Sequence, residues 1–200
     1  MFDSSDEENG DLELTPFEID RLDLTAQGSS EGLSISALPG RKFKETWRDL
    51  QHDIGCIKSA NIKEVFVLCT KGELNKYRVP SLLEDYTAAG LALHHHPFQD
   101  GSTPTMESLV EMLENIKVNL MNGVQSLVHC FGGLGRSCLV AVCLLLMLDP
   151  NENPTSAIAK LRELRGPGAI QTVKQYNFIN EFRENIACYE RKTGHRTVSR

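Results

Sequence analysis

The sequence has no excess of positive charge and no long apolar segment. It carries 21 lysines and arginines against 27 aspartates and glutamates, a formal net charge of −6 at pH 7. This balance argues against a nucleic-acid-binding protein, which would present a basic face to phosphates. The longest apolar run, Cys138–Leu148, has eleven residues, whereas a bilayer-spanning helix needs about 20. We therefore expect neither nucleic acid nor a membrane among the partners.

A secretory signal and a zinc-binding cysteine pattern are also missing. The amino-terminal residues are acidic and contain no apolar core segment, so we expect no signal peptide. The six cysteines lie at positions 56, 69, 130, 138, 143 and 188, without a C-x-x-C pair. Free thiols in a reducing compartment are the simpler interpretation. We expect a cytoplasmic location, and a perinuclear or nuclear pool is left open.

Three adjacent histidines, His94, His95 and His96, do not replace the missing metal pattern. Successive residues of a strand point to opposite faces of the sheet, so three neighbours cannot easily converge on one ion. We expect no metal and no other cofactor.

Charge is distributed unevenly along the chain. Residues 1–24 hold nine acids and one arginine, a charge of −8, and the remainder holds 18 acids and 20 bases, a charge of +2. We predict an acidic, disordered tail over 1–30, one domain over 31–192 and a basic tail over 193–200. Ser4 and Ser5 precede three consecutive acids, a context that suits an acid-directed kinase.

Strand and helix patterns alternate along the domain. Apolar and β-branched runs predict strands over 33–38, 64–69, 91–95 and 125–129. Apolar spacing and capping residues predict helices over 45–60, 80–89, 104–122, 136–148, 154–165 and 172–192, with Thr103 and Asn153 as caps. This alternation is typical of an α/β fold with a mostly parallel central sheet flanked by helices. Ligands of such sheets bind beyond the carboxyl ends of the strands.

The most informative stretch follows the strand 125–129 and reads His129-Cys-Phe-Gly-Gly-Leu-Gly-Arg136-Ser137. A strand that turns on glycines into a helix offers backbone N–H groups at the helix amino terminus, which bind anions. A cysteine in this cradle favours the thiolate, because the helix terminus and an arginine stabilise negative charge. We therefore predict nucleophilic sulfur chemistry on a bound phosphate.

This stretch resembles the signature loop, His-Cys-x-x-Gly-x-x-Arg-Ser, of the cysteine-dependent protein tyrosine and dual-specificity phosphatases. The resemblance implies that Cys130 attacks phosphorus, that Arg136 binds two phosphate oxygens and that Ser137 assists breakdown of the phosphocysteine. It implies that His129 helps to set the surroundings of the cysteine. The phosphate-binding residues would then be Phe131, Gly132, Gly133, Leu134, Gly135 and Arg136.

A phosphatase also needs an acid that protonates the leaving oxygen. Members of the family keep an aspartate on a loop upstream of the cysteine, and Asp100, thirty residues before Cys130, stands at that place. Without Cys130, Asp100 would be an ordinary loop carboxylate. Asp85 is the weaker candidate, because the pattern puts it on a helix.

Three further residues have candidate roles. Gln171 and Gln175 resemble the segment that positions the hydrolytic water in tyrosine phosphatases, and the alternative is a helix cap with an exposed glutamine. Cys69 ends the strand 64–69. If that strand lies beside the one ending at Cys130, Cys69 is a candidate for a reversible disulfide with it on oxidation, the alternative being a small buried residue.

The candidate substrate is a phosphoprotein. Residues 131–135 contain no lysine, whereas inositol-lipid phosphatases of this superfamily have bases there. The stretches Cys69–Pro80, His94–Pro97, His129–Val140 and Leu164–Thr172 narrow the resemblance to the kinase-associated phosphatases. One member of that family has a tyrosine where Phe131 stands, so here the ring is kept and a hydroxyl is lost. This implies removal of the activating phosphothreonine of a cyclin-dependent kinase, which restrains the cell cycle, with phosphoserine and phosphotyrosine also accepted.

The same resemblance implies docking of the kinase on a surface remote from the active site, with Val173 and Lys174 as candidates. We expect a monomer. One alternative is a kinase-binding inhibitor that acts by stoichiometric docking. Others are a phosphoprotein-binding module without catalysis and a rhodanese-like sulfur transferase or arsenate reductase. The module is disfavoured because the catalytic residues are present, and the last two leave Asp100, His129 and Ser137 unexplained.

Overall fold

The computed structural model describes residues 15–29 and 31–194. The strands in chain order are β1 (Ile19–Leu22), β2 (Leu33–Ser36), β3 (Lys42–Phe43), β4 (Thr46–Trp47), β5 (Ile62–Val67), β6 (Ala92–His95) and β7 (Gln125–His129). The helices are α1 (Leu50–Ser59), α2 (Lys71–Lys76), α3 (Leu82–Ala88), α4 (Met106–Met121), α5 (Arg136–Leu148), α6 (Pro154–Arg165), α7 (Val173–Asn180) and α8 (Phe182–Thr193). A short 3₁₀ turn covers Thr25–Gln27.

Five strands form the central sheet in the order β1-β2-β7-β5-β6. The pairs β2–β7, β7–β5 and β5–β6 are parallel, and β1 alone is antiparallel to its neighbour. The predicted α/β class with a mostly parallel sheet is therefore confirmed. Val67 and His129 are register partners at the carboxyl ends of β5 and β7. The residues that follow these two strands consequently emerge side by side.

Helices cover both faces of the sheet, because successive strand residues point to opposite sides. Val128 packs with the core formed by α4, α5, α6, α7 and α8. Leu127 packs with the core formed by α1 and α3. Helix α5 is buried on every side from Arg136 to Leu146, which fits its almost uniformly apolar sequence. No helix in the described part of the chain is long and apolar enough to cross a membrane.

The predicted boundary between tail and domain at residue 31 is too late. Ile19–Leu22 forms the edge strand β1, and Leu22 and Leu24 are buried in the core. Its acidic Asp20 pairs with Arg165 of α6, so this acid-rich segment still packs onto the sheet. Residues 1–14, with Ser4 and Ser5, and residues 195–200 of the predicted basic tail lie outside the described residues.

Several predicted helix limits also change. Residues 42–47 form the β3–β4 hairpin, and α1 begins only after Asp49, whose carboxylate accepts a hydrogen bond from the His52 N–H. Thr105, rather than Thr103, caps α4, because its hydroxyl accepts the N–H of Ser108. The predicted helix 172–192 is two helices, α7 and α8, which meet at Glu181. The predicted cap Asn153 does cap α6.

Candidate active site

The phosphate loop, residues 130–136, joins β7 to α5 at the carboxyl edge of the sheet. Cys130 follows β7 directly and is 1% exposed. Gly133 has a φ of +71°, and a Cβ atom built on it would lie 2.7 Å from the Ser36 carbonyl oxygen. Only glycine fits this position, because any side chain would combine a strained backbone with a clash against β2.

The loop turns its carbonyl groups outward. Three of them accept hydrogen bonds from outside the loop: Phe131 from the Leu38 N–H at 3.0 Å, Gly133 from the Arg165 Nε–H at 3.2 Å and Leu134 from the Ile170 N–H at 3.0 Å. Within residues 15–29 and 31–194, the N–H groups of 131–135 have no acceptor. Together with the amino terminus of α5, these donors form an anion cradle above Cys130.

Ser137 contacts the nucleophile, and His129 precedes it in the chain. The Sγ atom of Cys130 lies 3.2 Å from the Ser137 hydroxyl oxygen, and both side chains are buried. The Nε2 atom of His129 lies 2.9 Å from the Tyr86 hydroxyl oxygen. Burial lowers the pKa of His129 to about 3, so its ring is neutral near pH 7. Ser137 can donate a hydrogen bond to the cysteine sulfur, whereas the neutral His129 ring is bonded to Tyr86.

Glu73 holds the guanidinium of Arg136. The Arg136 side chain is fully buried, and its Nη1 and Nη2 atoms donate to the two carboxylate oxygens of Glu73 at 2.9 and 2.6 Å. Nη1 also donates to the carbonyl oxygens of Leu68 and Phe98. Burial alone would lower the pKa of Arg136, but the hydrogen bonds to Glu73 and nearby negative charge raise it overall.

The remaining edge of the guanidinium is available for phosphate. Its Nε atom is buried and makes no hydrogen bond within the described residues, although it forms an ion pair with Asp100 Oδ1, 3.3 Å away. Nε and the second N–H of Nη2 face one side of the planar group, an arrangement that matches two phosphate oxygens. Because the buried Nε makes no hydrogen bond, an anionic ligand at this edge would satisfy it.

Sequence reasoning missed Glu73. The Thr70-x-x-Glu73 pattern is the signature of a helix cap, and a capping box is formed at the start of α2. The Thr70 N–H and hydroxyl both donate to Glu73 Oε2, at 2.8 and 3.0 Å. Burial works to raise the pKa of Glu73, but the bonds from Arg136 and Thr70 outweigh it and lower the pKa. One carboxylate thus caps a helix and anchors the arginine.

Asp100 lies at the open side of the site, on the acid loop, residues 96–105, between β6 and α4. Its side chain is 55% exposed, and Oδ1 lies 3.3 Å from Arg136 Nε. The same oxygen accepts the Gly101 N–H at 3.1 Å. Asp85 lies on α3, where it accepts hydrogen bonds from Ser81 and Gln51. The structure therefore brings Asp100, rather than Asp85, to the phosphate loop.

Gln171 and Gln175 lie next to the phosphate loop and have different surroundings. A Cβ atom built on Gly135 would lie 2.6 Å from Gln171 Oε1, so the Gln171 carboxamide lies against this loop. Gln175 is fully buried. Its Oε1 accepts the Gln171 N–H at 3.0 Å, and its Nε2 donates to the Ser102 carbonyl oxygen at 3.3 Å. Gln175 is thus engaged in holding backbone segments, and the Gln171 side chain is exposed.

Cys69 lies close to the nucleophile. The Leu68 N–H donates to the His129 carbonyl oxygen at 3.1 Å, which sets residues 69 and 130 on adjacent strand ends. Cys69 is fully buried, and burial together with the charge of Cys130 raises the pKa of its thiol well above the ordinary value. Cys69 is therefore a protonated thiol beside Cys130.

The side chains of His94, His95 and His96 have three different hydrogen-bond partners. His94 lies 2.8 Å from Glu64 Oε2, His95 bonds the Cys69 carbonyl oxygen, and His96 bonds the Ser108 hydroxyl. No group of three potential metal-binding side chains occurs in the part of the chain that the structure describes.

The side chain of Phe131 packs against residues outside the phosphate loop. Its ring stacks on Tyr77 with centroids 4.1 Å apart, and the Arg41 guanidinium lies 4.9 Å from the ring centroid. These contacts belong to the core on the face of the sheet that α1 covers. Arg41 also donates to the Phe131 carbonyl oxygen at 3.3 Å. The ring is therefore held in place by aromatic and cation–π contacts.

The sequence and the fold match known proteins. Residues 1–158 match the family model described as Cyclin-dependent kinase inhibitor 3. The proteins of that name from Rattus norvegicus and Homo sapiens are 51% and 50% identical over 201 residues, covering 100% of this chain and 95% of each relative.

Two solved structures are similar in fold. A kinase associated phosphatase (KAP), crystallised with its catalytic-site cysteine replaced by serine, has 50% identity and a TM-score of 0.84, covering 88% of this chain and 98% of its own. The active form of Tk-PTP has 28% identity and a TM-score of 0.63, covering 76% of this chain and 91% of its own. The chain thus belongs to the cyclin-dependent kinase inhibitor 3 family, dual-specificity phosphatases that use a catalytic cysteine.

Proposed function

We propose that this protein hydrolyses the activating phosphothreonine of a cyclin-dependent kinase through a phosphocysteine intermediate, and so restrains the cell cycle. The observation that carries the proposal is the Arg136 edge whose Nε makes no hydrogen bond and faces only the partly exposed Asp100, in the same loop as Cys130 and the unpaired N–H groups of residues 131–135. These donors are fixed before any ligand binds, so they stabilise the charge of the transferring phosphoryl group without rearrangement.

In the first step the loop amides and Arg136 hold the phosphate while Cys130 attacks phosphorus. The new bond joins phosphorus to sulfur, and the bond to the substrate oxygen breaks. Asp100 gives its proton to that oxygen as it leaves. The acid matters most for phosphothreonine and phosphoserine, because an alkoxide is a poorer leaving group than the phenolate of tyrosine, whose pKa is about 10.

In the second step water attacks the phosphocysteine and the sulfur leaves. Asp100, now a carboxylate, accepts a proton from the water. The Ser137 hydroxyl, 3.2 Å from Cys130 Sγ, donates a hydrogen bond to the departing sulfur. Gln171 is the better candidate for orienting the water, because Gln175 already uses both ends of its carboxamide in the protein.

The kinase would dock on the start of α7. Val173 is 76% exposed, which is unusual for a large apolar side chain and typical of a contact surface. Lys174 lies beside it, adds a positive charge and donates to the Ser102 hydroxyl, so this surface adjoins the acid loop instead of lying remote from the active site as expected. The names of the curated relatives, cyclin-dependent kinase inhibitor 3, support a kinase as the partner. The monomeric state, the cytoplasmic location and the absence of nucleic-acid and membrane partners stay predictions.

Inhibition by stoichiometric docking alone is not favoured, because the chain carries a nucleophile, a phosphate-binding arginine and an acid in one site. The test compares wild type with Cys130→Ser on a cyclin-dependent kinase phosphorylated on its activating threonine. We expect phosphate release to fall by at least about 10⁴-fold in the variant, because the nucleophile is lost. We expect Cys130→Ser to retain the phosphorylated kinase in preference to the dephosphorylated form.

Cys56→Ser is the matched control, since Cys56 lies on α1 away from the phosphate loop and should release phosphate like wild type. Equal reduction of kinase output by wild type and Cys130→Ser would instead support stoichiometric docking. Phosphate release by Cys130→Ser at the wild-type rate would exclude the proposed nucleophile.

A further inference from the structure

The first turn of α7 holds the acid loop at three points. The Thr172 hydroxyl donates to the Gly101 carbonyl oxygen at 2.8 Å. Gln175 Nε2 donates to the Ser102 carbonyl oxygen at 3.3 Å, and Lys174 Nζ donates to the Ser102 hydroxyl at 2.8 Å. The two residues held in this way follow Asp100 directly in the chain.

The bond from Thr172 reaches Asp100 through a single residue. Gly101 accepts from Thr172 with its carbonyl group and donates its N–H to Asp100 Oδ1 at 3.1 Å. Its φ is +71°, and a Cβ atom on it would lie 3.3 Å from the Thr172 methyl group. The hydroxyl and methyl groups of Thr172 therefore both contact Gly101 closely. A shift of Thr172 would move Gly101 and, through its N–H, the Asp100 carboxylate.

Gln175 connects the acid loop to the segment before α7 and lies against the phosphate loop. Its buried carboxamide bonds the Ser102 carbonyl oxygen and the Gln171 N–H. Its Nε2 lies 3.2 Å from the place that a Cβ atom on Gly135 would occupy. A buried amide with two such bonds fixes the distance between the segments that it joins, because breaking either bond would leave a buried polar group unpaired.

Asp100 needs such support because its own side chain is 55% exposed. Proton transfer depends on placement, and a displacement of about 1 Å can reduce a rate about 100-fold. We propose that Thr172 and Gln175 are positioning residues that set the Asp100 carboxyl group against the leaving oxygen. This role rests on the proposed function, in which Asp100 is the general acid.

The test uses two aryl phosphates with different leaving groups. Phenyl phosphate releases a weakly acidic phenol and needs the acid, whereas 4-nitrophenyl phosphate releases a far more acidic phenol and needs it little. We expect Thr172→Val to lower kcat for phenyl phosphate about tenfold more than for 4-nitrophenyl phosphate. Asp100→Asn should change the ratio of the two kcat values in the same direction. Thr172→Val should cause no further loss when Asp100→Asn is already present.

Thr172 also caps α7 by accepting the Gln175 N–H, so the effect of the lost cap must be separated. Thr172→Ser keeps the hydroxyl and should restore the wild-type ratio of the two kcat values. Asn153→Ala removes the cap of α6, remote from Asp100, and should leave that ratio unchanged. Gln175→Glu keeps an acceptor for the Gln171 N–H, loses the donor to Ser102 and should shift the ratio like Thr172→Val, even if the latter folds poorly.

The possible outcomes separate this role from the proposed function. Equal losses on both substrates in Thr172→Val and Gln175→Glu would overturn the positioning role while leaving the phosphatase assignment intact. A ratio unchanged by Asp100→Asn would remove both the acid assignment and the role built on it. No hydrolysis of either substrate by wild type would contradict the proposed function itself.

Discussion

The phosphate loop and the acid loop form the two halves of one site and are held in opposite ways. The phosphate loop is buried, follows β7 directly and takes its shape from Gly133 and from hydrogen bonds to its outward carbonyl groups. The acid loop carries a largely exposed aspartate and is held from outside by α7. Binding of phosphate is thus built into the core, whereas proton transfer depends on a contact between distant parts of the chain.

Oxidation should disable the phosphate loop alone. Peroxide converts the Cys130 thiolate to a sulfenic acid, and the neighbouring Cys69 thiol can then form a disulfide with it and release water. We expect complete loss of activity that a thiol reductant reverses in wild type and fails to reverse in Cys69→Ser, where further oxidation gives the sulfinic acid. Activity before and after reduction, with peptide masses, measures this.

Cys56→Ser controls for a cysteine outside the site and should recover like wild type. Full recovery of Cys69→Ser, or a Cys130 found only as sulfinic acid in wild type, would rule out Cys69 as the partner.

Loss of the Glu73 anchor should weaken binding and the first step without changing the demand for an acid. In Glu73→Gln the Arg136 guanidinium loses a charged partner in a buried place, so we expect kcat/KM to fall roughly 100-fold, the effect of losing one oriented donor. The loss should be equal for phenyl and 4-nitrophenyl phosphate, in contrast with Thr172→Val. Steady-state kinetics with both substrates measures it.

Glu84→Gln, on the exposed side of α3, should match wild type for both substrates. A loss in Glu73→Gln confined to phenyl phosphate would mean that Glu73 acts on the acid loop and would blur the distinction between the two halves.

The smallest expected effect is a pH dependence of the free energy of unfolding that comes from His129, the buried residue before the phosphate loop. The pKa of His129 is about 3 in the folded protein and about 6.5 for an unperturbed histidine. Between these values the unfolded chain binds a proton that the folded chain does not, so stability falls as pH falls below about 6.5, by at most about 1.4 kcal/mol per pH unit. Urea unfolding at pH 6 and pH 5 measures the slope.

His129→Gln should flatten this slope in part, because burial lowers the pKa of His96 in the same direction. An identical slope in His129→Gln would show that His129 is not the group that takes up the proton.

The binding half could be predicted from the sequence because its residues are contiguous. Cys130, Arg136 and Ser137 lie within eight positions, and the glycines between them have a local meaning. Asp100 required the resemblance, because an isolated Asp-Gly pair carries no specific signal. Glu73 was missed, since its local pattern already has a sufficient explanation as a helix cap and its bond to Arg136 spans 63 positions.

Errors in the fold have the same origin. The spacing of Trp47, Leu50 and Ile54 is helical, but Trp47 lies in the β4 strand against Arg78, and only the later residues enter α1. Strand β1 was hidden by its acidic surroundings, and its pairing with β2 and the bond from Arg165 to Asp20 are tertiary contacts. In each case a contact between distant residues overrides the local pattern.

Val173 is exposed beside Thr172, so the strength of the hydrogen bond from Thr172 to Gly101 depends on what covers Val173. This hydrogen bond is only partly buried in the free protein, so solvent can compete for the Gly101 carbonyl group. A protein surface that covers Val173 would exclude that water and lower the local dielectric constant, and hydrogen bonds strengthen under those conditions. The Gly101 carbonyl group, and with it Asp100, would then be held more firmly in the complex than in the free protein, without changing position.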